Sequence, residues 1–498
     1  MILCNHKATE DWGSCFGFSF VYSGNFIAEA EVDQLGQVRF GMGIHPEGFC
    51  WKLNPGESFV TPEVMLCYSE NGFAELSNRI SKAFRRALIR SKYVNEKRPV
   101  LVNNWEATYF DFDEEKLFAI ASQAKDLGLD LFVLDDGWFG KRDSDYTGLG
   151  DWFVNEEKIK GGLKALSERV RGLGLKMGLW VEPEMVSEDS LLYRAHPDWC
   201  LRIPGRAPVR GRYQLNLDIT RPEVRKAVME PLCKIIEECQ ISYVKWDFNR
   251  NLGNVYSGAL PADQQGEVFH RYVLGLYEMQ GMLTERFPDL LLENCAGGGG
   301  RFDAGLLYFS PQIWCSDNTD AIDRLTIQYG TSFGYPVSTM GSHVSVCPNH
   351  QTGRTTPFET RALVAAVGTF GFELDLGKLT EEDKELAKKW LAIYRQDEEL
   401  VQKGNYYRLT NPAETREFAA WQLVAEDKSR TVVSLVLLRS QANTPIFYCY
   451  LKGLEPQAMY RNSEDGRLYS GAALMAGGLP LPITHGDYVA VRFSFERV

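Results

Sequence analysis

From residue 101 onward the chain repeats one unit: an amphipathic helix, a short turn that often holds glycine, an apolar strand, and acidic or polar residues where the strand ends. The first copy has a helix over 117–127, Gly128-Leu129-Asp130 as its turn, a strand over 131–134, and Asp135-Asp136 at the strand's end. In the second, a helix over 163–173 turns at Gly174 into a strand over 176–181 that ends in Glu182-Pro183-Glu184. The third helix, 224–239, leads into an apolar run over 241–244 and then Lys245-Trp246-Asp247-Phe248-Asn249. Segments 100–104, 290–295, 312–317, 335–340 and 367–374 read as further strands, making eight. Strands alternating with helices demand parallel crossovers, and eight of them predict a closed (β/α)8 TIM barrel rather than an open doubly wound sheet. No Gly-x-Gly-x-x-Gly follows an early strand, which argues against a dinucleotide-binding fold.

A chain of 498 residues is too long for one ordinary core, so a barrel must carry additions. Short alternating segments at 16–22 and 26–32 read as a partial N-terminal β region, and a helix-like stretch over 74–89 leads from it into the barrel. Segments 432–438, 446–451 and 488–495, split by Gly, Pro and Asn turns, read as a C-terminal antiparallel β-sandwich. The expected units are 1–90, 91–400 for the barrel, and 401–498.

In such barrels the C-terminal strand ends form the active face, and Asp135, Asp136, Glu182, Glu184, Asp247, Glu293 and Asp317 all fall at expected strand ends. Side chains two apart on a strand share a face, so Lys245, Asp247 and Asn249 line one side while Trp246 and Phe248 turn to the other. A carboxylate beside an ammonium is either a nucleophile or half of a buried ion pair that only holds the core. Two carboxylates from different strands, with further acids, an amine and aromatic walls, suit a glycosidase. Asp247 is then the nucleophile, because Lys245 favours its ionised form, and Asp317 is the acid, because the Asp247 charge raises its pKa. Asp317 also reads as a helix N-cap, and Asp320 with Arg324, four apart, as a local ion pair. Asp135-Asp136 offers four acceptor oxygens to sugar hydroxyls; a divalent cation is the competing use. The run Cys295 to Arg301, with its four glycines, brings backbone close to the barrel mouth, and it lacks the Walker spacing of a phosphate loop.

A net charge of −12 with no unmixed Lys/Arg block argues against nucleic-acid or anionic-membrane partners and for a neutral small molecule. Eleven Trp and twenty-two Tyr are enough for sugar-stacking walls, although most belong to the core. Eleven cysteines without paired spacing, and an N-terminus without a basic flank and apolar core, place the chain in a reducing cytoplasm. No apolar run approaches 18 residues, so no membrane span is expected. His343, Cys347 and His350 offer one thiol and no second motif, so neither metal nor cofactor is expected.

Six segments together resemble glycoside hydrolase family 36, the microbial α-galactosidases, over about residues 15–400 and on towards the C-terminus. They are Asn104-Trp-Glu-Ala-Thr-Tyr109, Leu134-Asp-Asp-Gly-Trp-Phe139, Trp180-Val-Glu-Pro-Glu-Met185, Lys245-Trp-Asp-Phe-Asn-Arg250, Cys295-Ala-Gly-Gly-Gly-Gly-Arg301 and Ser316-Asp-Asn-Thr-Asp-Ala-Ile-Asp-Arg324. The resemblance implies a retaining α-galactosidase for substrates such as melibiose and raffinose. In it Asp247 forms a galactosyl-enzyme, while Asp317 protonates the leaving oxygen and then activates water. It further implies that Asp135 and Asp136 bind the galactose 4- and 6-hydroxyls, that Lys245, Arg212 and Asn249 add contacts, and that Trp105 and Trp180 form walls. Cys295 and Gly298 match positions near the sugar's 2-position, where a thiol leaves little room for an acetamido group.

Long members of the family carry a large N-terminal β-sandwich that helps assemble a tetramer, and here residues up to about 90 match only its last portion. Those residues are expected to pack on the barrel or on another subunit, since exposed sheet edges are a liability; a homo-oligomer stays open. Two alternatives stand beside hydrolysis: galactosyl transfer through the same intermediate, and a noncatalytic galactoside-binding protein.

Overall fold

The computed structural model describes residues 1–498. Its centre is a closed barrel of eight parallel strands. They are β1 (Leu101–Asn103), β2 (Leu131–Leu134), β3 (Lys176–Val181), β4 (Tyr243–Trp246), β5 (Leu291–Asn294), β6 (Gln312–Trp314), β7 (Met340–Ser345) and β8 (Thr369–Glu373). Each pairs with the next, and β8 closes on β1 through Gly371–Leu101, Phe372–Val102 and Glu373–Asn103. The strands are buried on both faces, which is why most read as short apolar runs rather than alternating ones.

Alternation decides what fills the barrel. Leu101, Leu131, Val133, Tyr243 and Leu291 pack together as an apolar plug. One step of two residues further along the same strands come Asn103, Asp135, Lys245 and Glu293, a polar layer facing the same way. Gly178 on β3 makes room within the plug, since a Cβ there would lie 2.7 Å from the Tyr243 ring. On the outer face, Val244 and Trp246 join the large apolar cluster beneath the helices.

Several strand boundaries differ from the sequence expectation, three of them in ways that bear on the site. The strand expected from 241 into the Lys245–Asn249 motif begins only at Tyr243 and ends at Trp246, so Lys245 lies in the barrel wall while Asp247 and Asn249 lie beyond the strand. The strand expected over 312–317 stops at Trp314, leaving Asp317 on the following loop. Segment 335–340 is mostly not strand: Val337–Thr339 form one tight helical turn after Pro336, and β7 begins only at Met340. This strand is polar yet buried, because Ser342 donates to Gln328, His343 pairs with Glu373 and Ser345 donates to the Thr319 carbonyl.

Outside the barrel, Ile2–Cys4, Cys15–Val21 and Glu63–Ser69 form an antiparallel sheet, and Phe26–Val32 pairs with Val38–Ile44 as a separate hairpin. Tyr22 bonds His270 at 3.0 Å and Ser23 donates to Asp303 at 2.7 Å, fixing this region to the barrel. Helix Glu381–Lys403 leads to a six-stranded antiparallel sheet. The strand expected over 446–451 contracts to Tyr448–Cys449, which pairs with Leu479–Pro480.

Arg408, with a fully buried side chain, ties these parts together. It forms a fork with Glu10 at 2.8 and 2.9 Å, donates to Ser332 and Ser77, and lies 3.9 Å from the centre of the Phe333 ring. Removing Glu10 strands that cation. Glu10→Ala is expected to cost roughly 3 kcal/mol of stability, seen as a lower thermal midpoint; an unchanged midpoint would show that the pair does not hold the terminal regions to the barrel.

Candidate active site

The polar layer begins with a buried ammonium. Lys245 Nζ donates to Asp135 Oδ2 at 3.0 Å, and Asn103 Nδ2 donates to the same oxygen at 2.5 Å. Burial works against the Lys245 charge, but Asp135, Glu373, Cys295 and Asp247 outweigh it and push the pKa well above its ordinary value. The lysine's direct partner is thus Asp135, and its effect on Asp247 acts through space.

Asp247, one residue beyond β4, receives donors on both oxygens. Trp180 Nε1 at 3.1 Å and Asn249 Nδ2 at 2.8 Å reach Oδ2, while the Phe248 N–H at 2.8 Å and the Gly297 N–H at 3.4 Å reach Oδ1. Burial favours the neutral acid, yet the Lys245 charge and the donors from Asn249, Cys295 and Phe248 overcome it and hold the carboxyl below its usual range. Asp317 stands the other way. Burial and then the Asp247 charge raise its pKa, with Lys245 and the Trp314 indole, 3.0 Å from Oδ1, opposing only in part.

The glycine-rich turn after β5 serves both acids. The Gly297 N–H faces Asp247, and Gly298, at φ +86°, lies against the Asp317 backbone so closely that a Cβ would come within 2.7 Å of its nitrogen. Only glycine fits that backbone angle and that approach.

Trp105, Asp135, Asp136, Trp180, Arg212, Lys245, Asp247, Asn249 and Asp317 all line one cavity of about 150 Å³ at the C-terminal end of the strands. Cys295 is buried behind this wall, where the Asp247 charge and burial keep its thiol protonated. Asp136 is gripped by Arg142 through bonds of 2.7 to 3.2 Å, so Asp135 and Asp136 each carry their own cation. Arg212 reaches the cavity from a loop, at φ 47°, and pairs with Asp145 at 3.3 Å. His343, Cys347 and His350 turn to separate partners, namely Glu373, the Thr356 carbonyl and Glu106.

With this geometry in place, residues 58–404 match the melibiase family, 1–54 the glycosyl hydrolase family 36 N-terminal domain, and 418–495 its C-terminal domain. The chain belongs to glycosyl hydrolase family 36. It is 51% identical over 498 residues to the bifunctional alpha-galactosidase/sucrose kinase AgaSK of Mediterraneibacter gnavus, covering 100% of this chain and 52% of that protein. It is 50% identical over 492 residues to alpha-galactosidase AgaA of Geobacillus stearothermophilus, covering 99% of this chain and 67% of that one. The chain therefore spans about half the length of the first relative and about two thirds of the second. The crystal structure of AgaA superposes with a TM-score of 0.98 at 49% identity, covering 100% of this chain and 69% of that one. Variants of AgaA have been solved in complex with raffinose and with stachyose.

Two expectations for this family 36 chain need correction. Asp320, not Asp317, caps the helix Ala321–Thr331, accepting from the Ile322 and Asp323 N–H groups, which leaves Asp317 free to face the cavity. Arg324 does not pair with Asp320; it donates to the carbonyls of Ser316, Asn318 and Gly341, while Arg354 takes Asp320. Seven lining residues were not among the expected site residues: Glu106, Asp145, Trp314, Thr319, His350, Gln351 and Glu373. Glu373 obeys the strand-end rule used for the other acids, and Glu106 stands within the quoted Asn104–Tyr109 motif, so both were findable. Of the other strand-end acids, Glu293 bonds Tyr243 and Gln312, and Glu184 pairs with Arg301, both outside the cavity. Glu182 accepts the Asn249 N–H at 2.6 Å and is pushed up to about 8 by burial and the Asp247 charge, so it supports Asn249 as a neutral acid.

Gly298→Ala is expected to misplace the Asp317 loop. The strain should lower stability by about 2 kcal/mol, and activity should fall further than the lost stability accounts for; retained activity in a folded Gly298→Ala variant would contradict the close approach.

Proposed function

We propose that this chain is a retaining α-galactosidase that hydrolyses terminal α-D-galactosyl residues of oligosaccharides such as melibiose and raffinose. The observation that carries this reading is the opposite poise of two carboxyls on one cavity, Asp247 with its pKa lowered and Asp317 with its pKa raised. The Asp247 carboxylate attacks the anomeric carbon while the Asp317 proton passes to the glycosidic oxygen. The carbon–oxygen bond to the leaving sugar breaks as the galactosyl–Asp247 ester forms. That step consumes the Asp247 charge, which lowers the Asp317 pKa and turns Asp317 into the base for an incoming water. Water then opens the ester from the opposite face, so the two inversions give net retention.

Asp135, Asp136, Lys245, Asn249 and Arg212 place polar atoms for the sugar hydroxyls, and Trp105 and Trp180 form walls. Cys295 and Gly298, packed behind Asp247 and Asp317, leave little room beyond the sugar's 2-position. Galactosyl transfer would use the same ester with a sugar in place of water. The presence of both carboxyls on the cavity speaks against a noncatalytic binding protein. Eleven free thiols suit a reducing cytoplasm, and no helix is long and apolar enough to cross a membrane. We take 1–90, 91–400 and 401–498 as the working domain limits.

Turnover of an aryl α-galactoside tests the reading. Asp247→Ala and Asp317→Ala are each expected to lose at least about a thousandfold in kcat. Azide should rescue Asp247→Ala and give a β-galactosyl azide; an α-azide would remove Asp247 from its role. NMR of the first product should show α-galactose.

The pH profile of kcat/KM should be bell-shaped. Asp247 must be ionised and its pKa is lowered, so the acidic limb should lie below the ordinary carboxylate range. Asp317 must be protonated and its pKa is raised, so the alkaline limb should lie above it. Lys245→Met removes the charge that favours ionised Asp247, so its acidic limb should move to higher pH; an unmoved limb would detach Lys245 from that role.

A further inference from the structure

A second cavity, of about 590 Å³, shares Asn249 with the candidate active site. It lies between the loop after β4, the glycine turn, helix Val268–Arg286 and the N-terminal turn Ser23–Asn25. Its chemistry is the reverse of the first. The active-site cavity is lined by seven carboxyls, among them Glu106, Asp145 and Glu373; the second is lined by none. Donor-bearing side chains surround it instead: Asn25, Asn249, Arg250, Asn251 and Arg301, with Phe248 and Phe269 as apolar faces.

The two arginines differ. Arg301 is neutralised by Glu184 at 2.8 Å. Arg250 has only carbonyl partners: Nη1 donates to Val209 and Gln214, and Nε to the Asn251 carbonyl. In a chain of net charge −12, a half-buried arginine without an acid partner beside a donor-rich cavity suits an acceptor-rich anion. The volume and the aromatic faces leave space for a sugar ring attached to it. The occupant would also meet the residues that hold Asp247, since Asn249 and Gly297 both donate to that carboxylate and both line this cavity.

We propose that the second cavity binds a sugar phosphate, its phosphate toward Arg250 and the asparagine amides and its ring against Phe248 and Phe269. The binding rests on the second cavity's own residues and not on the catalytic reading of Asp247.

The test is calorimetric titration of the whole chain with glucose 6-phosphate, glucose and inorganic phosphate, the active site first filled with 1-deoxygalactonojirimycin, the ligand solved in a variant of AgaA. Glucose 6-phosphate is expected to bind to a single equivalent, at least about tenfold more tightly than either other probe, and more weakly as salt is raised. Asn251→Asp and Asn25→Asp each put a carboxylate on the exposed rim, away from the catalytic residues. Each should weaken the sugar phosphate about fivefold to tenfold, with thermal midpoint and inhibitor affinity unchanged. No binding at millimolar probe, equal affinity for all three probes, or affinity indifferent to both variants would overturn the proposal. If the inhibitor itself does not bind, the α-galactosidase reading is in trouble, and the sugar phosphate is titrated without it.

Discussion

The structure of the site depends on one buried charge. An ammonium enclosed in a barrel costs several kcal/mol unless acids surround it, and Lys245 accordingly has Asp135 in contact and the charges of Glu373 and Asp247 close by. The apolar plug formed by Leu101, Leu131, Val133, Tyr243 and Leu291 closes the space beneath, so the field of that charge is not dissipated by water on the inner side. What happens at the barrel mouth follows from how unequally the remaining acids share it.

Asp247 and Asp317 are chemically identical and line the same cavity, so their difference must come from surroundings. Asp247 collects indole, amide and backbone N–H donors besides the lysine's field; Asp317 has one indole donor and faces the Asp247 charge. Because each stabilises the opposite state of the other, the Asp317 pKa is raised by the Asp247 charge and falls when that charge is removed. The glycine turn keeps this relation geometrical. One peptide N–H touches Asp247, and the next residue packs on the backbone of Asp317, so neither acid can shift without disturbing the turn that meets both.

The barrel was legible because most of its strands are buried on both faces and read as largely apolar runs, and because strand-end acids recur with the repeat. β7 escaped the same rule because its polar residues are satisfied by Gln328, Glu373 and the Thr319 carbonyl, which no periodicity reveals. Lys245 was read on one strand face with Asp247 and Asn249, yet the strand ends at Trp246, and an apolar pattern cannot announce a charge tolerated by Asp135 and Glu373. The pairing of Asp136 with Arg142 and of Asp320 with Arg354 depends on loop folding, and the four-residue spacing of Asp320 and Arg324 misled because carbonyls rather than the carboxylate occupy that guanidinium.

The N-terminal region meets the end of the glycine turn through Ser23. Ser23 donates to Asp303, and Tyr277 bonds Ser23, while Asp303 caps the short helix Ala304–Leu307 that follows the glycine turn. Burial pushes the Asp303 carboxyl up to about 6, with the Leu306 N–H and Ser23 opposing, so the junction leans on hydrogen bonds rather than on a strong ion pair. The chain from Asp303 back to Cys295 is short and holds four consecutive glycines, which have little stiffness of their own. Its position over Asp247 and Asp317 is held by β5 at one end, by the Arg301–Glu184 pair within it, and by the Ser23–Asp303–Tyr277 cluster at the other. A segment distant in sequence thus reaches, through Ser23 and Asp303, the far end of the turn that meets both carboxyls.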